Sequence, residues 1–302
     1  MNFYILIFFT VTMIYSFNLY ENSEKSVLRK SKFLISSLMF LLLTFILGLR
    51  DTIGSDYGSY YLDFIYMQDF YSDNHYFETQ KLDLVYEYLS FFIIFLDLPF
   101  DFLSLLVSAL IIFSIVFFSY QEKDYLLIIL IFLSYYFLIF GMGYVRQGLS
   151  VSFLLLFIHF WRNEKNFLSI SFLILAIFSH KFAIISSFLI FIRPKGNWLY
   201  FNKYIYLLTG IVIIFLFFKV FESKNILQYF QVYSQEHSSG ALYRTFAGTI
   251  CALLFFSKKS FFKKRLDYRY LYISSSILLI LFPASFFYST ISDRILGYFL
   301  PS

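Results

Sequence analysis

The chain has 302 residues, of which 60% are hydrophobic and 14% are charged. These proportions exclude a water-soluble globular protein of this length and indicate an integral membrane protein. The net charge of +5 is no sign of nucleic-acid binding, because the basic residues lie between apolar runs, where they report membrane orientation.

Apolar runs long enough to form membrane helices, which need about 20 residues, recur along the chain. The first, Met1 to Tyr20, lacks a basic start and a small-residue cleavage site, so we expect a retained helix. The others cover 33–49, 84–97, 102–119, 125–140, 144–161, 167–192, 204–221, 242–257 and 270–291. We predict an all-α polytopic membrane protein, a single domain over 1–302 with about 9 to 11 transmembrane or re-entrant helices.

Lysine and arginine in the connecting segments predict the orientation. Segments 21–32, 193–203 and 258–269 are rich in both residues, so we expect them on the cytoplasmic side. Working outward from them, the loop at about 50–83 lies on the outer side and carries seven carboxylates. Arg146 is on the outer side by the same reasoning.

Two runs do not fit simple crossings. The run 167–192 begins and ends on cytoplasmic segments, so we predict two half-length passes that meet near His180 and Lys181, close to the outer face. The run 84–97 is short and contains Glu87, which predicts a re-entrant or surface helix.

The outer loop begins with a polar stretch from Leu49 to Tyr61. Gly54 and Gly58 allow backbone conformations that other residues resist, so we expect a tight polar loop that forms one wall of an active site.

Aromatic residues in the same loop recur at spacings of three and four, which is typical of one helix face. This face packs on the bundle or offers a stacking surface for sugar rings. Its members are Tyr57, Tyr60, Tyr61, Phe64, Met67 and Tyr71.

Four arginines, Arg50, Arg146, Arg244 and Arg294, lie at or near the outer ends of predicted spans. An arginine close to hydrocarbon is a functional candidate, and its planar fork matches phosphate oxygens. The alternative is that each arginine reaches the lipid headgroups or pairs locally, as Arg50 would with Asp51 or Asp56, and Arg294 with Asp293.

Three short motifs occur in a characteristic order: Leu49-Arg50-Asp51 with Gly54-Ser55-Asp56, then Tyr144-Val145-Arg146-Gln147-Gly148, then Phe178-Ser179-His180. Together they resemble the EpsG-like polysaccharide polymerases, a branch of the Wzy-type O-antigen and exopolysaccharide polymerases. Two features depart from that family. A further membrane segment usually follows the position of Arg294, and a small polar residue is common at the position of Lys181.

The resemblance implies a GT-C-like bundle with an outer-face cavity in the bacterial inner membrane. The activity would be that of a glycosyltransferase that joins oligosaccharide units carried on undecaprenyl pyrophosphate at the periplasmic face, with no metal or other cofactor. The expected partners are the lipid-linked oligosaccharide, the bilayer and a chain-length regulator, and nucleic acid is not among them.

Residue roles follow from the chemistry of this reaction. The predicted base for the acceptor hydroxyl is His180, with Asp56 as the alternative. The alternative for His180 is a buried imidazole that bonds a backbone carbonyl at the helix break. The side chains that we predict to bind the pyrophosphate are Arg146 and Arg244 first, then Arg50, Arg294 and Lys181.

Two other function classes fit parts of the sequence. A transporter or flippase for a lipid-linked anionic glycan would also have broken helices and buried charges, but here the polar residues gather toward one face and no repeat is visible. A lipid-modifying acyltransferase would need a histidine and carboxylate pair, which the sequence does not offer convincingly.

Overall fold

The structure is a computed structural model. It describes residues 25–54, 56–72, 83–121, 124–180, 182–186, 240–263 and 268–299. Across these ranges the chain is helical and contains no strand, which confirms the all-α prediction for the described part. The predicted runs Met1 to Tyr20 and 204–221, the segment 193–203 and Lys181 lie outside the described residues.

The chain divides into two compact units. The first comprises Met1–Leu156 with Phe178–His180, and the second comprises Phe157–Ile177 with Lys181–Ser302. Described helices of the first unit are α1 (Lys25–Gly48), α2 (Tyr57–Ser72), α3 (Leu84–Phe95), α4 (Phe100–Tyr120), α5 (Tyr125–Phe132), a π-helix (Leu133–Gly141) and most of α6 (Val145–Arg162). Those of the second are most of α7 (Asn166–Ser179), α8 (Ala241–Ser257), α9 (Lys259–Phe262), α10 (Tyr268–Ser285) and α11 (Ser289–Phe299).

The first unit is organised around α4, which packs along α1 and also contacts α3 and α5. Its inward face carries Leu103, Val107 and Ile111, which are spaced by four residues and are almost completely buried. Helix α1 has a buried side, with Leu43 and Leu47, and an opposite side of exposed leucine and phenylalanine. An exposed apolar stripe of this kind marks a surface that faces lipid or another protein.

One described helix, Phe100–Tyr120, is long and apolar enough to cross a bilayer, with a mean hydropathy of 2.6. Four described apolar helices are shorter: Lys32–Gly48, Leu84–Phe95, Asn166–Ser179 and Ala241–Ser257. The 12 residues of α3 extend about 18 Å at 1.5 Å per residue, well short of a hydrocarbon core of about 30 Å. Whether 84–97 is a re-entrant or surface helix stays a prediction.

The break predicted within 167–192 is present, because α7 ends at Ser179 and a short 3₁₀ helix follows at 182–186. The run 270–291, predicted as one helix, is instead two. Helix α10 ends at Ser285, two residues after Pro283, and α11 begins at Ser289. Proline lacks the amide hydrogen and crowds the carbonyl group four residues earlier, so Pro283 weakens the last turns of α10.

Gly58 does not form the loop that we predicted for it. It lies in the first turn of α2, and nothing stands within 4 Å of the position that a Cβ atom would take. Of the two predicted loop glycines, Gly54 alone has a left-handed backbone, with φ of +122°.

The aromatic face of α2 packs against the start of α4. The rings of Tyr57, Tyr61 and Phe64 each contact Phe100, with centroid distances of 5.5, 5.5 and 5.6 Å. The packing interpretation is therefore confirmed for these residues, while the side chain of Tyr71 lies outside the described part. Edge-to-face contacts of this kind add stability beyond the burial of apolar area.

Replacing Phe100 with leucine should therefore lower the free energy of unfolding by at least about 1 kcal/mol, because three ring contacts are lost together. Thermal unfolding of the detergent-solubilised protein measures this change. The matched control is Phe95→Leu, since the Phe95 side chain is 63% exposed and should tolerate the change. Equal shifts in the two variants would contradict the packing role of Phe100.

Candidate functional site

The polar loop after α1 fits tightly against the end of the π-helix. Arg50, which is 7% exposed, donates a hydrogen bond from Nη1 to the carbonyl oxygen of Gly141. A Cβ atom on Gly54 would stand 2.1 Å from the carbonyl oxygen of Met142, so only glycine fits there. Thr52 has a φ of +52°, an unusual conformation for a β-branched residue. The loop is therefore closely packed, as the sequence predicted, and it is also strained, which the sequence did not predict.

This contact explains why an arginine stands at position 50. Helices end with carbonyl groups that lack intrahelical partners, and π-helical turns are frequent at functional sites. The buried Arg50 guanidinium supplies a charged donor to the last π-helical carbonyl. It thereby joins the loop to the segment that leads into α6.

Arg146, in the first turn of α6, is the centre of an ionic cluster in the first unit. Its Nη2 donates to Oδ2 of Asp63 at 2.5 Å, and its Nη1 donates to Oδ2 of Asp83 at 3.3 Å. The side chains of Arg146, Asp63 and Asp83 are 15%, 24% and 15% exposed. One cation between two carboxylates leaves this cluster with a formal charge of −1.

Two tyrosine rings complete the surroundings of Arg146. Its Cζ atom lies 4.9 Å from the ring centroid of Tyr60 and 5.1 Å from that of Tyr86, which is the geometry of a cation–π contact. The two rings are 5.4 Å apart and tilted by 46°. Burial raises the pKa of the Tyr60 hydroxyl, with the Arg146 charge opposing this shift, so the phenol stays protonated at physiological pH.

Gly148, in the first turn of α6, lets this helix lie close to the π-helix. A Cβ atom there would lie 2.6 Å from the carbonyl oxygen of Phe140, in the π-helix. The end of the π-helix and the start of α6 therefore approach each other closely, and this positions Arg146. The Tyr144 to Gly148 motif thus combines a charged group with the glycine that makes its placement sterically acceptable.

The second unit holds another arginine in a bidentate pair. Arg244, in the first turn of α8, donates from Nε to Oδ1 of Asp293 at 2.6 Å and from Nη2 to Oδ2 at 2.5 Å. Asp293 lies on α11 and its side chain is 5% exposed, whereas that of Arg244 is 20% exposed. Both carboxylate oxygens of Asp293 accept hydrogen bonds from Arg244, a partner that the sequence did not indicate.

The remaining predicted residues are distributed as follows. His180 is 6% exposed and follows the end of α7, within the first unit. Asp56 is half-buried and immediately precedes α2, also in the first unit, and its charge acts on the Tyr60 hydroxyl. Arg294 is half-buried on α11 in the second unit. The structure thus places Arg50 and Arg146 in one unit and Arg244 and Arg294 in the other.

Sequence reasoning missed Asp63, Asp83 and Tyr86 as partners of Arg146. The signal for Asp63 was its spacing, since it follows Tyr60 by three residues on the same helix and therefore shares its face. Asp83 stands directly before the apolar run of α3, at its N-terminal cap position. Tyr86 follows one turn later. Their approach to Arg146 is long-range and leaves no local pattern.

These sites offer guanidinium groups in fixed orientations, buried hydroxyls and carboxylates. Guanidinium groups held in place by carboxylates can stabilise negative charge without reorganising when that charge develops. Among the described residues, no three His, Cys, Asp or Glu side chains come together as a set that could hold a metal ion.

Comparison with known proteins identifies the family. The model of the EpsG family matches residues 33–302, which is nearly the whole chain and includes both arginine clusters. No curated protein and no solved structure matches the chain. The chain therefore belongs to the EpsG family, which makes it a membrane protein with a role of the polysaccharide polymerase type.

Proposed function

We propose that this protein is a polytopic repeat-unit polymerase of the bacterial inner membrane. It would join oligosaccharide units carried on undecaprenyl pyrophosphate at the periplasmic face, building O-antigen or exopolysaccharide. The observation that carries this proposal is the family match over residues 33–302. The partly exposed arginines at the first turns of α6 and α8 support it, because each is held by carboxylates in a defined orientation.

The reaction is a glycosyl transfer. The hydroxyl of the acceptor sugar attacks the anomeric carbon of the donor glycan, and the bond from that carbon to the pyrophosphate oxygen breaks. The bonding electrons leave with undecaprenyl pyrophosphate, and the hydroxyl proton passes to a base. Negative charge therefore grows on the leaving phosphate, where a preoriented arginine stabilises the transition state most.

Each predicted residue has a role in this scheme. Arg146 in the first unit and Arg244 in the second are each first candidates for binding the leaving pyrophosphate, and Arg294 and Lys181 are further candidates. Arg50 is a candidate for binding the pyrophosphate because of its charge. It also holds the polar loop against Gly141. His180 accepts the proton, with Asp56 as the alternative base, and both belong to the unit that contains Arg146.

The test is Arg146→Lys in a strain whose own copy of the gene is deleted. Lysine keeps the positive charge but lacks the planar fork, so it cannot bind Asp63 and Asp83 through two separate nitrogens as Arg146 does. We expect at least about a tenfold loss of long-chain glycan, while single repeat units accumulate on the lipid at the outer face. The length distribution of the extracted polysaccharide measures this loss.

The matched control is Arg162→Lys, the same change at the other end of α6. It should leave chain lengths unchanged at equal protein abundance in the membrane. Normal chain lengths in Arg146→Lys would remove Arg146 from the proposed site. Accumulation of single units at the inner face would instead support a flippase.

A further inference from the structure

The pair formed by Arg244 and Asp293 has a geometry that fixes the direction of the guanidinium. Asp293 accepts from Nε and Nη2 with one oxygen each, which is a side-on bidentate arrangement. Two parallel hydrogen bonds define both the position and the plane of the guanidinium, whereas a single bond would leave it free to rotate. Because Asp293 is 5% exposed, water competes little for these bonds.

The third nitrogen of this guanidinium lies beside Gly240, the residue before α8. A Cβ atom on Gly240 would stand 3.0 Å from Nη1 and 3.7 Å from Cζ of Arg244. Gly240 also has a φ of +94°, which side chains other than glycine adopt only with strain. Glycine at this position therefore leaves room for the guanidinium beside the first turn of α8.

The helices that carry the pair are also held together by other contacts. Helix α8 packs against α11 and also against α10, where the hydroxyl of Thr245 donates to the hydroxyl of Ser285, the last residue of α10, at 3.1 Å. A buried ion pair is in general weak support for stability, since the cost of removing both charges from water offsets much of their attraction. The pair of Arg244 and Asp293 is therefore better explained as a means of orienting the guanidinium than as an additional link between helices.

We propose that Asp293 and Gly240 are positioning residues for Arg244, which set the direction in which its guanidinium faces the pyrophosphate of the lipid-linked donor. This inference rests on the proposed function. Asp293 acts by holding Nε and Nη2, and Gly240 acts by leaving space beside Nη1. Neither residue needs to touch the substrate.

The experiment compares purified, detergent-solubilised variants in polymerisation of the lipid-linked repeat unit from the native strain. Asp293→Asn keeps the shape of the side chain but replaces one acceptor oxygen with a donor. We expect kcat to fall at least about tenfold with a smaller change in KM, because orientation matters most in the transition state. Gly240→Ala should also reduce kcat.

A double-mutant cycle separates positioning from an independent effect. If Asp293 acts through Arg244, then Arg244→Lys and Arg244→Lys with Asp293→Asn lose activity equally. Additive losses would overturn the inference. The structural control is Thr245→Ala, which removes the hydrogen bond from α8 to Ser285 at the end of α10 and should leave kcat unchanged.

A binding measurement keeps the test decisive even for a variant of low activity. Undecaprenyl pyrophosphate should protect the wild type against thermal unfolding and should protect Asp293→Asn less. Wild-type kcat and wild-type protection in Asp293→Asn would overturn the positioning role alone. Absence of polymerisation by the wild-type protein would overturn the proposed function itself, so the two failures are distinguishable.

Discussion

Gly54→Ala should prevent the chain from accumulating as a folded protein. The new Cβ atom would stand 2.1 Å from the Met142 carbonyl oxygen, far inside van der Waals contact, and that oxygen belongs to the backbone. The φ of +122° adds a strain of about 1 to 3 kcal/mol for a residue with a side chain. Relief of the clash requires the loop to leave the end of the π-helix, which also breaks the bond from Arg50 to Gly141.

The measurement is the yield of monodisperse protein by size-exclusion chromatography in mild detergent, together with its unfolding temperature. Gly58→Ala is the matched control, because Gly58 lies four residues away, in the first turn of α2, with open space around its Cβ position. That change should be neutral or stabilise the helix by up to about 1 kcal/mol. Wild-type yield and unfolding temperature in Gly54→Ala would show that the loop does not pack as described.

The sequence predicted most described helices because a membrane-type helix is an apolar run, and such runs are visible at 102–119, 144–161 and 242–257. It also placed the break after Ser179, since the orientation of the flanking basic segments left no other solution. The turn between α10 and α11 was missed for a physical reason. Its residues are apolar or aromatic like those of the helix before it, so no polar residue marks the turn: Phe286, Phe287 and Tyr288. Pro283 was the only sequence signal that α10 ends nearby.

The arginines were found from the sequence, but the residues that hold them were not. Charged groups at helix ends are visible in one dimension, whereas their partners lie far along the chain: Asp63 is 83 positions from Arg146, and Asp293 is 49 positions from Arg244. Pairing across a bundle depends on packing, which no local pattern encodes.

Arg146→Met should be the most destabilising change in the ionic cluster, because it removes the cation and keeps both anions. Asp63 and Asp83 would then lie close together in a poorly solvated place, and Tyr60 and Tyr86 would lose their cation–π partner. Removing one partner of a buried charge pair typically costs about 3 to 5 kcal/mol. The exposed control, Arg269→Met, should change stability by no more than about 0.5 kcal/mol.

A second substitution tests whether the uncompensated negative charge is the cause. Adding Asp63→Asn to Arg146→Met removes the carboxylate that made the 2.5 Å contact and leaves Asp83 alone. The double variant should therefore unfold at a higher temperature than Arg146→Met, although Asp63→Asn by itself should lower the unfolding temperature of the wild type, whose Arg146 then loses a partner. Asp63→Asn thus lowers the unfolding temperature when Arg146 is present and raises it when Arg146 is replaced. This reversal is specific to electrostatic compensation, since a loss of packing would make the effects of the two substitutions on the unfolding temperature add. If Asp63→Asn lowers the unfolding temperature equally in both backgrounds, then the tyrosine rings and the surrounding helices, and not the carboxylates, hold Arg146 in place.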